Sequence, residues 1–237
     1  MIALCATSRN EGDIIECWLR HMLAEGIDEI LVADHSEPGE STRETLIALH
    51  EETGRVHWID DPDPIHRQPA LMNSLAFTAA RHGAEWIIAS DIDELWIAPG
   101  KTIAEALSSC PHNKLYARRF LHRDWDHRRI ESERLPKVAF RPPAVIGNGN
   151  HEVNLPGGEH GVLEIRELHY RGFEHFKAKA KDRIATLDPA MRARGDGIHQ
   201  TRLEDFTEEQ MMAEWGKWLA VPTIHDPIPS RSPCRPR

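Results

Sequence analysis

Within the first sixty residues, a short apolar run gives way to a polar turn three times, and an amphipathic stretch follows the first two turns. Ile2 to Ala6 ends in Thr7-Ser8-Arg9-Asn10, after which Ile14, Ile15, Trp18, Leu19, Met22 and Leu23 recur at helical spacing. Glu29 to Ala33 opens into Asp34-His35-Ser36-Glu37-Pro38-Gly39, followed by a helix to about Glu52. Val56 to Ile59 is a third strand, and a proline-bearing loop follows it. Repeated βα units predict a mainly parallel sheet with helices on its faces.

The fourth unit carries the chemistry. A helix from about Pro69 to Arg81 precedes Trp86-Ile87-Ile88-Ala89-Ser90, which runs directly into Asp91-Ile92-Asp93-Glu94. This pattern reads as a buried strand that delivers carboxylates at its C-terminal end, the edge where open α/β sheets bind ligands. Of three D-x-D triplets, only this one closes such a strand. Asp61-Pro62-Asp63 sits among prolines, and Asp124-Trp125-Asp126 lies among histidines and arginines, so both suit loop or ion-pair roles. Alternation along a strand turns Asp91 and Asp93 toward one ligand and Glu94 away, toward a structural hydrogen bond or ion pair. Paired carboxylates repel unless a proton or cation intervenes, and a hard divalent ion such as Mn²⁺ or Mg²⁺ meets that need. The bland reading is that the two acids cap the following turn.

The second half changes rhythm. Strands at Leu115–Ala117, Val138–Phe140 and Val162–Leu168 suggest antiparallel additions to the sheet, with helices at about 174–185 and 207–219. A chain of 237 residues suits one large domain at about 150 residues per domain, here 1–220 with its pattern changing near residue 100, and a Pro/Arg-rich tail over 221–237. The formal charge of −9 would repel a phosphate backbone, so no nucleic-acid partner is expected. Cys5, Cys17, Cys110 and Cys234 lack zinc spacing and read as free thiols in a reducing compartment. With neither a signal-peptide pattern nor an apolar run near the roughly 20 residues that span a bilayer, a cytoplasmic location is expected. Docking at the inner face of the membrane stays open.

Three segments, Ser8-Arg9-Asn10-Glu11-Gly12-Asp13-Ile14-Ile15-Glu16-Cys17-Trp18-Leu19, Ile30-Leu31-Val32-Ala33-Asp34-His35-Ser36 and Trp86 to Trp96, resemble in that order the family 2-like glycosyltransferases of the GT-A fold. The resemblance implies an α/β, Rossmann-like mixed sheet flanked by helices, with the half to about residue 100 binding the nucleotide, and transfer of a sugar from a nucleotide-diphosphate sugar to a glycan or lipid-linked acceptor in cell-surface polysaccharide or lipopolysaccharide assembly. It further implies that Asp91 and Asp93 bind the divalent metal, Asp93 more directly, and that a histidine completes the site. His169, before Tyr170, is the first choice and His151, beside Glu152, the second. Thr7, Arg9 and Glu11 would meet the nucleotide, Asp34 the base or ribose, and Arg67 with Gln68 the diphosphate or sugar. The loop ending Glu37-Pro38-Gly39-Glu40 departs from the family's pattern.

Glu152, Asp124 and Asp126 lie where an acceptor base is expected, and no spacing selects one, although Glu152 is carried as a catalytic candidate beside Asp93. Lys177, Lys179 and Lys181 alternate and so fan around a helix as a solvated face, with Arg171 or Lys177 left as candidates to approach the diphosphate. Trp215, Trp218 and Leu219 are expected to pack a terminal helix onto the core, with peripheral membrane docking as the minority alternative. Two rival functions remain at this level: a nucleotide-sugar-binding module without turnover, and a metal-dependent phosphohydrolase or nucleotidyltransferase using the same acids.

Overall fold

The computed structural model describes residues 1–61, 63, 65, 67–186 and 203–229, the side chains of 183 and 184 excepted. Four strands form the parallel half of the sheet: β1 (Ile2–Ser8), β2 (Glu29–Asp34), β3 (Val56–Asp60) and β4 (Trp86–Asp91), with β1 central between β2 and β4. Between them run α1 (Ile15–Ala24), α2 (Ser41–Thr53) and α3 (Gln68–Arg81). Strand period 2 sorts β1 between two cores. Ile2, Leu4 and Ala6 join Ile15, Trp18 and Met22 of α1, whereas Ala3 and Cys5 join Met72, Leu75 and Ala79 of α3. Buried on both faces, β1 carries apolar side chains almost throughout.

Beyond β4, the elements β5 (Glu94–Ile97), α4 (Ile103–Ser108), β6 (Lys114–Leu121), β7 (His127–Arg129), β8 (Lys137–Phe140) and β9 (Glu159–Glu167) follow in chain order. A full capping box, Thr102 with Glu105, starts α4. The eight-stranded sheet has the order β3-β2-β1-β4-β8-β6-β9-β5, a Rossmann-like mixed sheet flanked by helices, as expected. The expected antiparallel additions form at β4/β8, β8/β6 and β9/β5, but β6 and β9 run parallel. That pair is separated by a long connection through β8, which is what lets two strands point the same way.

The far edge of the sheet lies close to its centre in space. Although β5 is the last strand of the order, only Ile92 and Asp93 separate it from β4. The amide of Leu168 donates to the carbonyl of Asp93 at 2.9 Å, and the Trp96 indole donates to the Ser90 hydroxyl at 3.0 Å. The sheet therefore curls so that the end of β9 returns beside the end of β4.

Helices α5 (Phe173–Thr186) and α6 (Glu208–Ala220) build a separate small core of Phe176, Ala180, Leu203 and Met211. The terminal helix was expected on the main core; its Trp215 and Trp218 instead pack on Tyr170, at ring separations of 6.3 and 4.8 Å, and Leu219 stays exposed. The start of the expected tail is also ordered. Thr223–His225 forms β10, antiparallel to β7, and Ile228 is buried in the main core. Residues 230–237, including Cys234, lie outside the described residues. No helix among the described residues is long and apolar enough to cross a membrane.

Candidate functional site

The C-terminal ends of β1, β2 and β4 carry Thr7-Ser8, Asp34 and Asp91 side by side, with Thr7 in register with Asp91 and Ser8 with Asp34. Just past β4, the curled sheet sets Asp93 against the end of β9. Pairing Glu94 with Glu167 and bonding Asp93 to Leu168 brings Glu167 and His169 beside Asp93. His169 Nδ1 is 2.8 Å from Glu167 Oε1 and 3.9 Å from Asp93 Oδ2. One ligand atom from each of Asp93, Glu167 and His169 can be chosen so that all three lie within 4.8 Å of one another.

Two cations from the far side complete the arrangement. Lys179 of α5 bonds Asp93 Oδ2 and donates to the His169 carbonyl at 3.3 Å. Arg171 donates to Glu11 at 2.5 Å and to Asp13 at 2.6 and 2.7 Å. Burial alone would raise the Asp93 carboxyl, but Lys179 and His169 outweigh it and hold Asp93 below the usual carboxylate range. For Glu167, burial is likewise outweighed, by the His169 bond and the Arg119 charge, leaving it at about 2. Glu11 goes the other way: burial raises it despite Lys179 and Arg171. Asp93 and Glu167 are thus anions at neutral pH.

The two acids of the D-x-D have separate side-chain partners. Asp91 accepts from Gln68 at 2.8 Å, Lys137 at 2.5 Å and Asn150 at 3.2 Å, a network distinct from that of Asp93. Strand alternation places both on one side only while the chain stays extended, and the strand stops at Asp91, with Ile92 and Asp93 in a turn. Glu94 makes the expected structural bonds, but beside Asp91 rather than away from it: buried, it accepts the Asp91 amide at 3.0 Å and shares Lys137 with Asp91, at 3.1 Å. Asn150 reaches Asp91 from the left-handed region, φ 59°, where asparagine is among the better tolerated residues.

No protein-family model and no curated protein matches the sequence. Among solved structures, the chain is similar to S. aureus TarS 1–349 in complex with UDP, at 10% identity and a TM-score of 0.49, over 93% of this chain and 78% of that one.

The remaining expected residues scatter around the cluster. Thr7 is buried at the end of β1. Arg9 is clamped to Asp182 of α5 at 2.8 Å and to the His35 carbonyl at 2.8 Å. Asp34 is buried; one oxygen accepts the Ser36 amide at 3.1 Å, and the other lacks a hydrogen bond and faces Arg43 at 3.7 Å. Arg67 pairs with Asp61 at 2.6 Å. His151 Nδ1 donates to the Pro136 carbonyl at 2.7 Å, and His151 belongs to no cluster of metal-ligating side chains among the described residues. Glu152 is held by Lys114 at 2.6 Å and by the Tyr116 hydroxyl. Asp124 caps its own turn, accepting from the amides of Asp126 and His127 at 2.9 and 2.8 Å.

Sequence reasoning missed Glu167 and Lys179. Glu167-Leu168-His169 has the same two-residue spacing at a strand end as the D-x-D, and that spacing was the available signal. Lys179 lies three residues after Phe176 and beside Ala180, both buried, so helical period turns it inward while Lys177 pairs outward with Glu174 and Glu208.

Two carboxylates and one imidazole are a donor set for a hard to borderline divalent ion such as Mn²⁺, so these residues fit the cation that the resemblance implies. The side chains that lie close enough together for this are Asp93, Glu167 and His169, whereas the sequence expectation was Asp91, Asp93 and a histidine.

Proposed function

We propose that this chain is a divalent-cation-dependent, family 2-like glycosyltransferase that moves a sugar from a nucleotide-diphosphate sugar to a hydroxyl acceptor on a glycan or lipid-linked chain. The observation that carries the reading is the Asp93, Glu167 and His169 cluster at the C-terminal edge of the parallel strands, with Lys179 and Arg171 beside it. In this reading those three side chains hold Mn²⁺ or Mg²⁺, which when bound supplies positive charge against the departing diphosphate. Lys179 and Arg171 add positive charge on the same side. Thr7 and Asp34, at the ends of β1 and β2, border the nucleoside in this reading. Asp91, fixed by Gln68, Lys137 and Asn150, lines the donor side without touching the cation.

The test is thermal unfolding against UDP, GDP, ADP and CDP, each with Mn²⁺, Mg²⁺ or EDTA, for the wild type and Asp93→Asn. A ligand at 100 times its Kd adds about 2.7 kcal/mol, a rise of about 5–10 °C for a chain of this size. The expected result is one diphosphate that stabilises only with metal and only with Asp93 intact, followed by turnover of its sugar derivatives. Equal shifts in EDTA, or none with any nucleotide, would overturn the reading.

A further inference from the structure

Resting on the proposed donor site, we infer that Lys179 is an exchangeable counter-ion: its ammonium occupies Asp93 until a divalent cation displaces it, and the freed ammonium then binds the diphosphate. The oxygen of Asp93 that Lys179 holds is Oδ2, the same oxygen that faces His169 Nδ1 at 3.9 Å. The Asp93 oxygen that lies toward His169, and would help hold a cation beside that ring, is thus the one the ammonium holds. The two cannot share it at low cost, because an ammonium and a dication a few ångströms apart repel strongly in a partly buried site.

The geometry also says why the exchange is feasible. Glu167 is fixed by His169 and by Arg119 at 2.8 Å, so the other acid of the set stays in place when Lys179 leaves. Lys179 projects from α5, and its side chain is 26% exposed, so the ammonium has a route toward solvent, where Arg171 is committed to Glu11 and Asp13. A flexible four-carbon stem bearing a compact charge suits such a move, which a planar guanidinium would make less easily. The resident ammonium also neutralises Asp93 in the metal-free protein, where a bare buried carboxylate beside Glu167 and Glu11 would be unfavourable. No bond is made or broken in the exchange; one cation replaces another on a carboxylate.

The test measures Mn²⁺ binding through the loss of the free-ion EPR signal, then binding of inorganic pyrophosphate at saturating Mn²⁺, on full-length wild type, Lys179→Met and Lys179→Gln. The Gln variant keeps a hydrogen bond to Asp93 and stands in if the Met variant does not fold. Removing the competing charge should tighten Mn²⁺ at least tenfold, while pyrophosphate binding to the Mn²⁺-loaded protein weakens at least tenfold. A lysine that only props Asp93 would give unchanged or weaker Mn²⁺ binding, and that result overturns the exchange while leaving the donor site standing. Tighter Mn²⁺ with unchanged pyrophosphate overturns the phosphate-binding half. Absence of Mn²⁺ binding in the wild type and both variants overturns the donor-site reading itself, and the exchange with it.

Discussion

At the scale of single residues, the decisive event is the end of one strand. Period 2 assigns Asp91 and Asp93 to one ligand, and that logic fails one residue beyond β4, where the chain turns at Ile92 and Asp93. Asp93 swings to His169 and Lys179, while Asp91 stays with Gln68, Lys137 and Asn150. Asp93 and His169 were both singled out in the sequence, and the fold brings these two side chains together. The partner Glu167 was not, because its place depends on β9 pairing with β5, a contact between segments about seventy residues apart. The revised donor set has a direct consequence. Glu167→Gln removes one of two carboxylates and should weaken Mn²⁺ binding by at least tenfold, about 1.4 kcal/mol. Asp91→Asn, outside the set, should change it less than threefold. Titration calorimetry with Mn²⁺ reads both, and the reverse ranking would restore the two aspartates as the ligand pair.

At the scale of elements, the four βα-type strands and their helices were readable because each buries a periodic face. The order of the later strands was not, since pairing partners leave little trace in local pattern. Nor was the role of α5. Four ion pairs tie this helix and the turn before it to the opposite wall: Arg9 with Asp182, Glu11 and Asp13 with Arg171, and Asp93 with Lys179. The helix thus lies against the residues expected to meet the donor, and its other contacts are to α6 through a small core of its own. An element held mainly by charge pairs over a satellite core opens at lower cost than the sheet. Asp182→Asn removes the acid clamped by Arg9 without touching the sheet. Amide exchange over 173–186 should speed up several-fold while β1 and β4 stay protected, as hydrogen exchange with mass spectrometry would show. Equal acceleration in β1, or none in α5, would mean that the clamp does not hold the helix.

At the scale of the whole molecule, 38 acidic against 29 basic residues give a net negative protein, yet its acid sensitivity should begin with histidines rather than carboxylates. His35, His122, His151 and His175 are all depressed below the ordinary imidazole value, each chiefly by burial. His122 is the cleanest case: fully buried, it is lowered from 6.5 to about 4. Its Nδ1 lies 3.1 Å from the Asp124 carbonyl; the Arg166 and Arg128 charges oppose its protonation, and Asp226 favours it. Between pH 6.5 and 4 the unfolded chain binds a proton at this ring that the folded chain does not. Stability is therefore lost as pH falls through that window, by up to about 3 kcal/mol for a shift of this size. Asp93 and Glu167, held low by their cations, add their loss only further down. Replacing His122 by Asn removes the titrating ring while keeping a donor for the Asp124 carbonyl, at the cost of a small cavity. The variant should be less stable than wild type at pH 7.5, and the gap should narrow steadily as the pH is lowered to 4.5. Urea unfolding at several pH values measures that gap; a constant difference would mean that His122 protonates in the folded protein as readily as in the unfolded chain.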